Sequence, residues 1–121
     1  LLGVETQDTK EDAKWLANKI SQLRIFSDED GKMNKSVTEE DGEVVVVSQF
    51  TLHAKTKKGT RPSYIKAARP EQVIPLYNQF KKDLSDVIGK EVQSGEFAAY
   101  MKVTLINDGP VTIIIDTKNK E

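Results

Sequence analysis

Of 121 residues, 37% are hydrophobic and 31% charged, and 18 Lys and Arg against 19 Asp and Glu leave a formal net charge of −1. A chain of this length and composition fits one folded domain and excludes a disordered tail. The lack of cysteine excludes disulfide scaffolds, thiolate zinc sites and cysteine nucleophiles, and the single histidine, His53, argues against a multi-histidine metal centre. No apolar run approaches the roughly 20 residues of a membrane span. We therefore expect a soluble, cytoplasmic domain with no metal, no cofactor and no membrane contact.

The first four residues, Leu1 to Val4, include neither an initiator Met nor the charged region that opens a secretory signal. They resemble the last residues of a buried strand. The chain is therefore expected to lack its natural N-terminus, with one or more strands before Leu1.

Two segments have apolar residues at helical spacing. The first follows Asp8 and Thr9, whose side-chain oxygens suit a helix N-terminus, and it continues to about Leu23. The second begins at Pro70, which is tolerated in a first turn, and Gly89 is expected to end it. The residues expected to face the core are Ala13, Leu16, Ile20 and Leu23 in the first segment and Val73, Tyr77, Phe80, Leu84 and Val87 in the second.

Runs of β-branched residues predict strands between and after these helices. The segment 43–52, EVVVVSQFTL, contains four consecutive valines and favours a central strand buried on both faces. Two more strands are expected at 99–106 and 111–116, joined by the turn formers of residues 107–110. The sequence therefore predicts one α+β domain over residues 1–121, with a mostly antiparallel sheet and two main helices.

Charge is distributed unevenly along the chain. The segment from His53 to Arg69, here called the basic loop, contains no acid and six bases. These bases are Lys55, Lys57, Lys58, Arg61, Lys66 and Arg69. The loop also contains Gly59, which gives access to the backbone, and Tyr64, so one interpretation is that it binds phosphates. The alternative is a solvated surface loop. Residues 28–43 carry seven acids against two bases, which is typical of an exposed hairpin face.

Polar residues at the end of the valine-rich strand are candidate functional groups. Strand alternation places Gln49, Thr51 and His53 on one face, which invites a nucleophile–base pair of Thr51 and His53. Two observations disfavour that pair. Alternate residues of a strand lie roughly 6.5–7 Å apart at Cα, and no third group is evident to orient the imidazole. The alternative is that His53 is partly exposed at the end of the strand and that SQFTL has only a structural role. Residues 107–112, taken by themselves, likewise predict only a hairpin bend.

Several motifs in sequence order resemble the D-aminoacyl-tRNA deacylase family. They are RIF, EDGKMN, VVVSQFTL, KTKKGTRPSYIKAARPE, SGEFAAYM and NDGPVTIIID, and the opening LLGVE, which a first strand and hairpin precede in the family, is also similar. The resemblance covers nearly the whole chain. It implies a homodimeric, barrel-like hydrolase of carboxylic ester bonds, which cleaves the ester between a D-amino acid and the 3′ end of tRNA. Glycyl-tRNA is also expected to be hydrolysed, because glycine has no side chain that a steric filter could exclude.

The resemblance also implies roles for individual residues. The SQFTL segment of the family lines the pocket, and here this segment provides Ser48, Gln49, Phe50 and Thr51. The Gly-Pro of its NxGPVT motif, here Gly109 and Pro110, is a cis pair that enters the pocket of the partner subunit. A related paralogue, specialised for an L-alanyl error, has Met in SQxTL and a trans Gly-Pro. The Phe and the NDGPVT motif of this chain therefore favour the D-specific type.

Two positions depart from the family pattern. The family often has FGAxM where this chain has Phe97, Ala98 and Met101 in FAAYM, so Ala98 is expected to tighten or reshape the pocket wall. Relatives usually carry another residue, commonly aromatic, at the position of His53, which further disfavours its pairing with Thr51.

A mechanism follows from the resemblance and from the lack of a convincing side-chain base. Backbone N–H groups around Phe50 and Thr51 are expected to hold the oxyanion, with assistance from the 2′-hydroxyl of the tRNA and with Gln49 and Thr51 orienting the substrate. Thr51 stays open as a nucleophile. Within the basic loop, the candidates for contacting the tRNA backbone are Lys57, Lys58 and Arg61. The rival hypothesis is a non-catalytic module that binds DNA or RNA, since some eukaryotic relatives are linked to DNA replication.

Overall fold

Two helices that pack against each other form the centre of the molecule, which is represented by a computed structural model describing all 121 residues. Helix α1 spans Lys10–Gln22 and helix α2 spans Pro70–Ile88. The strands are short. They are β1 (Phe26–Ser27), β2 (Met33–Lys35), β3 (Val45–Val46) and β4 (Gln93–Ser94). The α+β class with two main helices is thereby confirmed.

Helix α1 begins where the sequence predicts. The Asp12 carboxylate accepts a hydrogen bond from the Thr9 N–H at 2.9 Å, so a side chain of the first turn fixes the residue that precedes the helix. Ala17 and Ser21 are its buried residues, and the predicted stripe of Ala13, Leu16 and Ile20 packs at the edge of the core. Leu23 lies just beyond the helix and is half-buried.

Helix α2 provides five of the eleven buried hydrophobic residues of the core. Pro70 lies in its first turn and Gly89 ends it in the left-handed conformation, with φ +73°, both as predicted. Four of the five predicted core residues are buried, whereas Val87 is 41% exposed and Ile88 is buried instead. The prediction for Val87 was wrong because the last step of the buried stripe is four residues rather than three. The helix buries Val73, Tyr77, Phe80, Leu84 and Ile88.

The strands form two separate pairs. Strands β1 and β2 are antiparallel around a turn in which Gly31 has φ +77°, and β3 and β4 are parallel. The prediction that the valine run is buried on both faces was wrong, since Val46 is buried but Val45 is 64% exposed. Strand β4 covers one edge of β3, and Leu2 forms an isolated parallel bridge with Ser48 just beyond β3.

The segments 99–106 and 111–116 are not hydrogen-bonded strands, contrary to the prediction. Residues 100–115, here called the C-terminal arm, form no hydrogen bond with one another or with the rest of the chain. β-branched composition favours an extended backbone, but a ladder also needs a neighbouring strand in register. Apolar side chains of the arm such as Val103 and Ile106 are therefore exposed. No helix of the chain combines the length and the hydrophobicity that crossing a membrane requires.

Candidate active site

The backbone leaves its extended course within the SQFT turn, residues 48–51. Two hydrogen bonds hold the approach to this turn, from the Leu2 N–H to the Val47 carbonyl and from the Gln49 N–H to the Leu2 carbonyl, each at 2.8 Å. Beyond Gln49 the chain winds into a 3₁₀ turn, Phe50–His53. The predicted strand through residue 52 was therefore too long, and strand alternation does not apply after Gln49.

This change of conformation keeps Gln49 and Thr51 together but separates His53 from them. The Gln49 side-chain amide donates a hydrogen bond to the Thr51 hydroxyl. His53 instead lies against Gly3, so closely that a Cβ on Gly3 would be 2.9 Å from the imidazole Nε2. No hydrogen bond joins Thr51 to His53, which agrees with the reasons for disfavouring that pair.

Two backbone donors of the SQFT turn have no acceptor. The N–H groups of Phe50 and Thr51 form no hydrogen bond within the chain, whereas the N–H groups of Gln49 and Leu52 on either side are bonded. Adjacent free N–H groups on a turn can stabilise an oxyanion, because their dipoles are already oriented when the charge develops. The turn therefore has the donors that acyl-transfer chemistry requires.

An aromatic contact brings the SQFT turn and the basic loop together. The rings of Phe50 and Tyr64 lie edge to face, with their centroids 5.0 Å apart. The loop itself is closed by two hydrogen bonds between the backbones of Lys55 and Ser63, at 2.8 and 2.9 Å. The sequence shows that Tyr64 lies in the basic loop. Its contact with Phe50 depends on the closure of the loop by Lys55 and Ser63, which the sequence does not show.

The three bases proposed for RNA contact project from the closed part of the loop. Lys57, Lys58 and Arg61 are exposed, and none of them forms a salt bridge. Their charges are therefore not neutralised by carboxylates of the chain. An unneutralised cluster of this kind next to a polar turn is suited to an anionic backbone.

One of the predicted wall residues, Phe97, is connected to the strand that leads to the SQFT turn. The Phe97 ring packs on Tyr77 with centroids 5.9 Å apart, and the buried Tyr77 hydroxyl donates to the Val46 carbonyl of β3 at 3.0 Å. Met101 packs over Gly95, where a Cβ would be 2.6 Å from the methionine sulfur. Helix α2 thus ties the wall segment to β3.

Ala98 adopts a backbone conformation that favours glycine. Its φ is +62°, and the Ala99 N–H donates to the Glu96 carbonyl at 3.2 Å, so Ala98 is the third residue of a tight turn. Glycine is preferred at this position because it has no Cβ to clash. The side chain of Ala98 is exposed. The departure from FGAxM therefore strains the turn, and the expected tightening of the pocket wall stays a prediction.

We expect Ala98→Gly to raise the free energy of unfolding by roughly 0.5–1 kcal/mol. Relief of the left-handed strain, about 1–2 kcal/mol, is partly offset by the greater entropy that glycine gives the unfolded chain. Urea denaturation of the two proteins measures the difference. Ala99→Gly is the matched control, because Ala99 does not have a positive φ and glycine should destabilise there. Equal destabilisation by both substitutions would contradict the claim that Ala98 is strained.

The Gly109–Pro110 peptide is cis, and Gly109 has φ +126°. Both residues are exposed and lie in the C-terminal arm. A Cβ on Gly109 would meet only the Val111 nitrogen, at 3.5 Å. Within a single chain the loop therefore points away from other groups, and no hydrogen bond connects it to the SQFT turn.

Comparisons with known proteins agree with one another. A family model described as D-Tyr-tRNA(Tyr) deacylase matches residues 1–116. A protein of Bacteroides fragilis named D-aminoacyl-tRNA deacylase is 67% identical over 121 residues, which cover 100% of this chain and 81% of that protein. A protein of Akkermansia muciniphila with the same name is 62% identical over the same shares.

Two solved structures are similar in fold. One, described as "c-Myc DNA Unwinding Element Binding Protein", has a TM-score of 0.85 and 40% identity, covering 93% of this chain and 76% of that one. The other, described as "Structural Analysis of a probable eukaryotic D-amino acid tRNA deacylase", has a TM-score of 0.58 over 73% of this chain and 51% of that one. Its identity of 18% supports the likeness in fold alone.

The chain is an α+β domain with free backbone donors beside a basic loop, and deacylases match it along its length. It is therefore a hydrolase. More narrowly, the chain belongs to the D-Tyr-tRNA(Tyr) deacylase family.

Proposed function

We propose that this protein hydrolyses the ester bond of D-aminoacyl-tRNA in the cytoplasm, with the SQFT turn as its catalytic centre. The observation that supports this site best is the pair of free N–H groups on Phe50 and Thr51. Family membership supplies the reaction, and the neighbouring cluster of unpaired bases suits an RNA substrate.

In the proposed reaction a water molecule attacks the ester carbonyl carbon. The carbonyl oxygen takes the negative charge and accepts hydrogen bonds from Phe50 and Thr51, after which the bond to the tRNA oxygen breaks. The products are a free D-amino acid and a tRNA with its terminal hydroxyl restored. The 2′-hydroxyl of the terminal adenosine assists. Gln49 fixes the Thr51 hydroxyl through their hydrogen bond, so that the two side chains with Ser48 orient the substrate, and no cofactor takes part.

Selection of the D-isomer is assigned to the Gly109–Pro110 loop of a second subunit. The loop is exposed and has no partner within its own chain, which leaves it free to enter another pocket. Carbonyl groups of Gly109 and Pro110 would bind the substrate ammonium and crowd one side of its Cα, so that an L side chain collides and a D side chain does not. This proposal requires a two-fold homodimer. In that dimer the C-terminal arm would be part of a barrel-like sheet. Phe97, Ala98 and Met101 would form the pocket wall.

The proposal is tested by hydrolysis of D-tyrosyl-, L-tyrosyl- and glycyl-tRNA under the same conditions. We expect D-tyrosyl-tRNA and glycyl-tRNA to be hydrolysed, because glycine has no side chain to collide, and L-tyrosyl-tRNA to be spared. Comparable activity on L-tyrosyl-tRNA would contradict the steric selection. An intact ester in all three substrates would contradict the enzymatic function.

A second candidate function is nucleic-acid binding without catalysis. It is favoured by the uncompensated charge of Lys57, Lys58 and Arg61 and by the 40% identity to a protein described as binding a DNA unwinding element. The same assay separates the two functions, because a protein that only binds leaves the ester of D-tyrosyl-tRNA intact.

A further inference from the structure

The two free N–H groups of the SQFT turn, on Phe50 and Thr51, have no hydrogen bonds within the chain to fix their direction. The bond that closes the turn around them runs from the Leu52 N–H to the Gln49 carbonyl at 3.3 Å, which is long for a backbone hydrogen bond. The direction of the free N–H groups therefore depends also on the contacts that the side chains of the turn make.

The ring of Phe50 makes such a contact with Tyr64. The two centroids are 5.0 Å apart and the ring planes meet at 72°. In this geometry the positive edge of one ring points at the negative face of the other, so the contact is directional. Because the rotamers open to a side chain depend on its backbone angles, holding the ring of Phe50 also restricts the backbone that carries its N–H.

Tyr64 can hold Phe50 in place because its own backbone is anchored. Tyr64 directly follows Ser63, which closes the basic loop. The Tyr64 carbonyl accepts a hydrogen bond from the Ala67 N–H at 3.0 Å, and the Ala68 N–H donates to the carbonyl of the buried Val4 at 2.9 Å. The segment that carries the ring is thus tied both to the closure of the loop and to the core.

We propose that Tyr64 is a positioning residue for ester hydrolysis, whose ring holds Phe50 so that the N–H groups of Phe50 and Thr51 stay directed at the oxyanion. This inference rests on the proposed catalytic role of the SQFT turn. Without the ring, Phe50 can adopt other rotamers, and the fraction of molecules with both donors correctly directed falls. The rate of the chemical step falls with that fraction, whereas the binding of RNA by the basic loop does not.

The test compares three substitutions. Tyr64→Ala removes the ring, and Tyr64→Phe keeps the ring and removes only the hydroxyl. Ile74→Ala is the matched control for truncation, because Ile74 is 42% exposed against 38% for Tyr64 and lies on helix α2, outside the SQFT turn and the basic loop.

We expect Tyr64→Ala to lower kcat for D-tyrosyl-tRNA by roughly threefold to tenfold, in keeping with the strength of one edge-to-face contact. The KM and its dependence on salt should stay at the wild-type values, because Lys57, Lys58 and Arg61 are untouched. Tyr64→Phe and Ile74→Ala should keep the wild-type kcat. When Phe50 is already changed to leucine, Tyr64→Ala should lower kcat by less than about twofold, because the partner ring is gone.

A second measurement does not depend on activity. Backbone ¹⁵N relaxation of the Phe50 and Thr51 amides reports their motion on the picosecond to nanosecond timescale. Both amides should become more mobile in Tyr64→Ala and stay as in the wild type in Tyr64→Phe and Ile74→Ala.

Three results would overturn the role of Tyr64. They are a wild-type kcat in Tyr64→Ala, a kcat in Tyr64→Phe as low as that of Tyr64→Ala, and unchanged relaxation of both amides in Tyr64→Ala. A raised KM with a shallower salt slope and a wild-type kcat would mean that Tyr64 only stabilises the basic loop. If the wild-type protein leaves D-tyrosyl-tRNA intact, the proposed function itself fails. An active wild type with an equally active Tyr64→Ala variant defeats the role of Tyr64 alone.

Discussion

Replacing Gly109 with alanine is expected to lower kcat/KM for D-tyrosyl-tRNA by roughly 100-fold, the effect of misplacing a group by about 1 Å. Gly109 has φ +126°, a conformation that is essentially restricted to glycine. Alanine must therefore move the loop to a different backbone conformation. If the loop forms part of the partner's pocket, that movement misplaces the groups that fix the substrate ammonium.

The fold should survive this substitution, because Gly109 is exposed and its loop makes no hydrogen bond. Gly31→Ala is the matched control. Gly31 also has a positive φ, +77°, and an added Cβ there would meet nothing within 4 Å, but the residue lies in the β1–β2 turn. We expect Gly31→Ala to lose some stability and no activity. Equal activity of the two variants would show that the Gly109 loop takes no part in the reaction.

The second large effect is expected from the basic loop. Neutralising Lys57, Lys58 and Arg61 together, each to glutamine, should raise the KM for tRNA by roughly 10- to 100-fold near 0.15 M salt. The slope of log KM against log salt should become shallower by about 2–3, since each phosphate contact contributes about 0.7–0.9. The kcat should change little, because the loop is proposed to contact the RNA backbone and not the ester.

The control for this variant removes the same amount of charge elsewhere. Lys10, Lys14 and Lys32 are exposed, lie outside the basic loop and form no salt bridge. Changing these three to glutamine should leave the KM and its salt slope close to the wild-type values. Equal salt slopes for the two triple variants would mean that only net charge matters and that the loop is a solvated surface.

The helices and the family could be predicted from the sequence because both depend on local patterns. In α2 the apolar residues recur at helical spacing, Pro70 begins the helix and Gly89 ends it. These signals are local in the sequence, so they specify the helix without its neighbours. The SQFTL and NDGPVT motifs in order likewise indicated the family, and the comparisons confirm it.

Conformations that depend on distant partners could not be predicted in this way. The strand predicted over residues 43–52 was too long, because its pairing with the distant Leu2 ends at Gln49 and the chain turns at Phe50. The strands predicted at 99–106 and 111–116 do not form ladders, because β propensity favours an extended backbone but does not supply a neighbouring strand. Ala98 has a positive φ that no pattern of apolar residues signals.

The sequence by itself determined the helical core, the polar SQFTL segment, the excess of bases after it and the family to which the chain belongs. Only the tertiary structure decided which backbone donors stay free at Phe50 and Thr51, and which charged side chains pair over long distances in the chain. Lys118 and Asp12 are separated by 106 positions in the chain, and their contact exists only because folding brings Lys118 to the start of α1. Local periodicity carries no information about such a pair, because its energy depends on distance in space and not on distance along the chain.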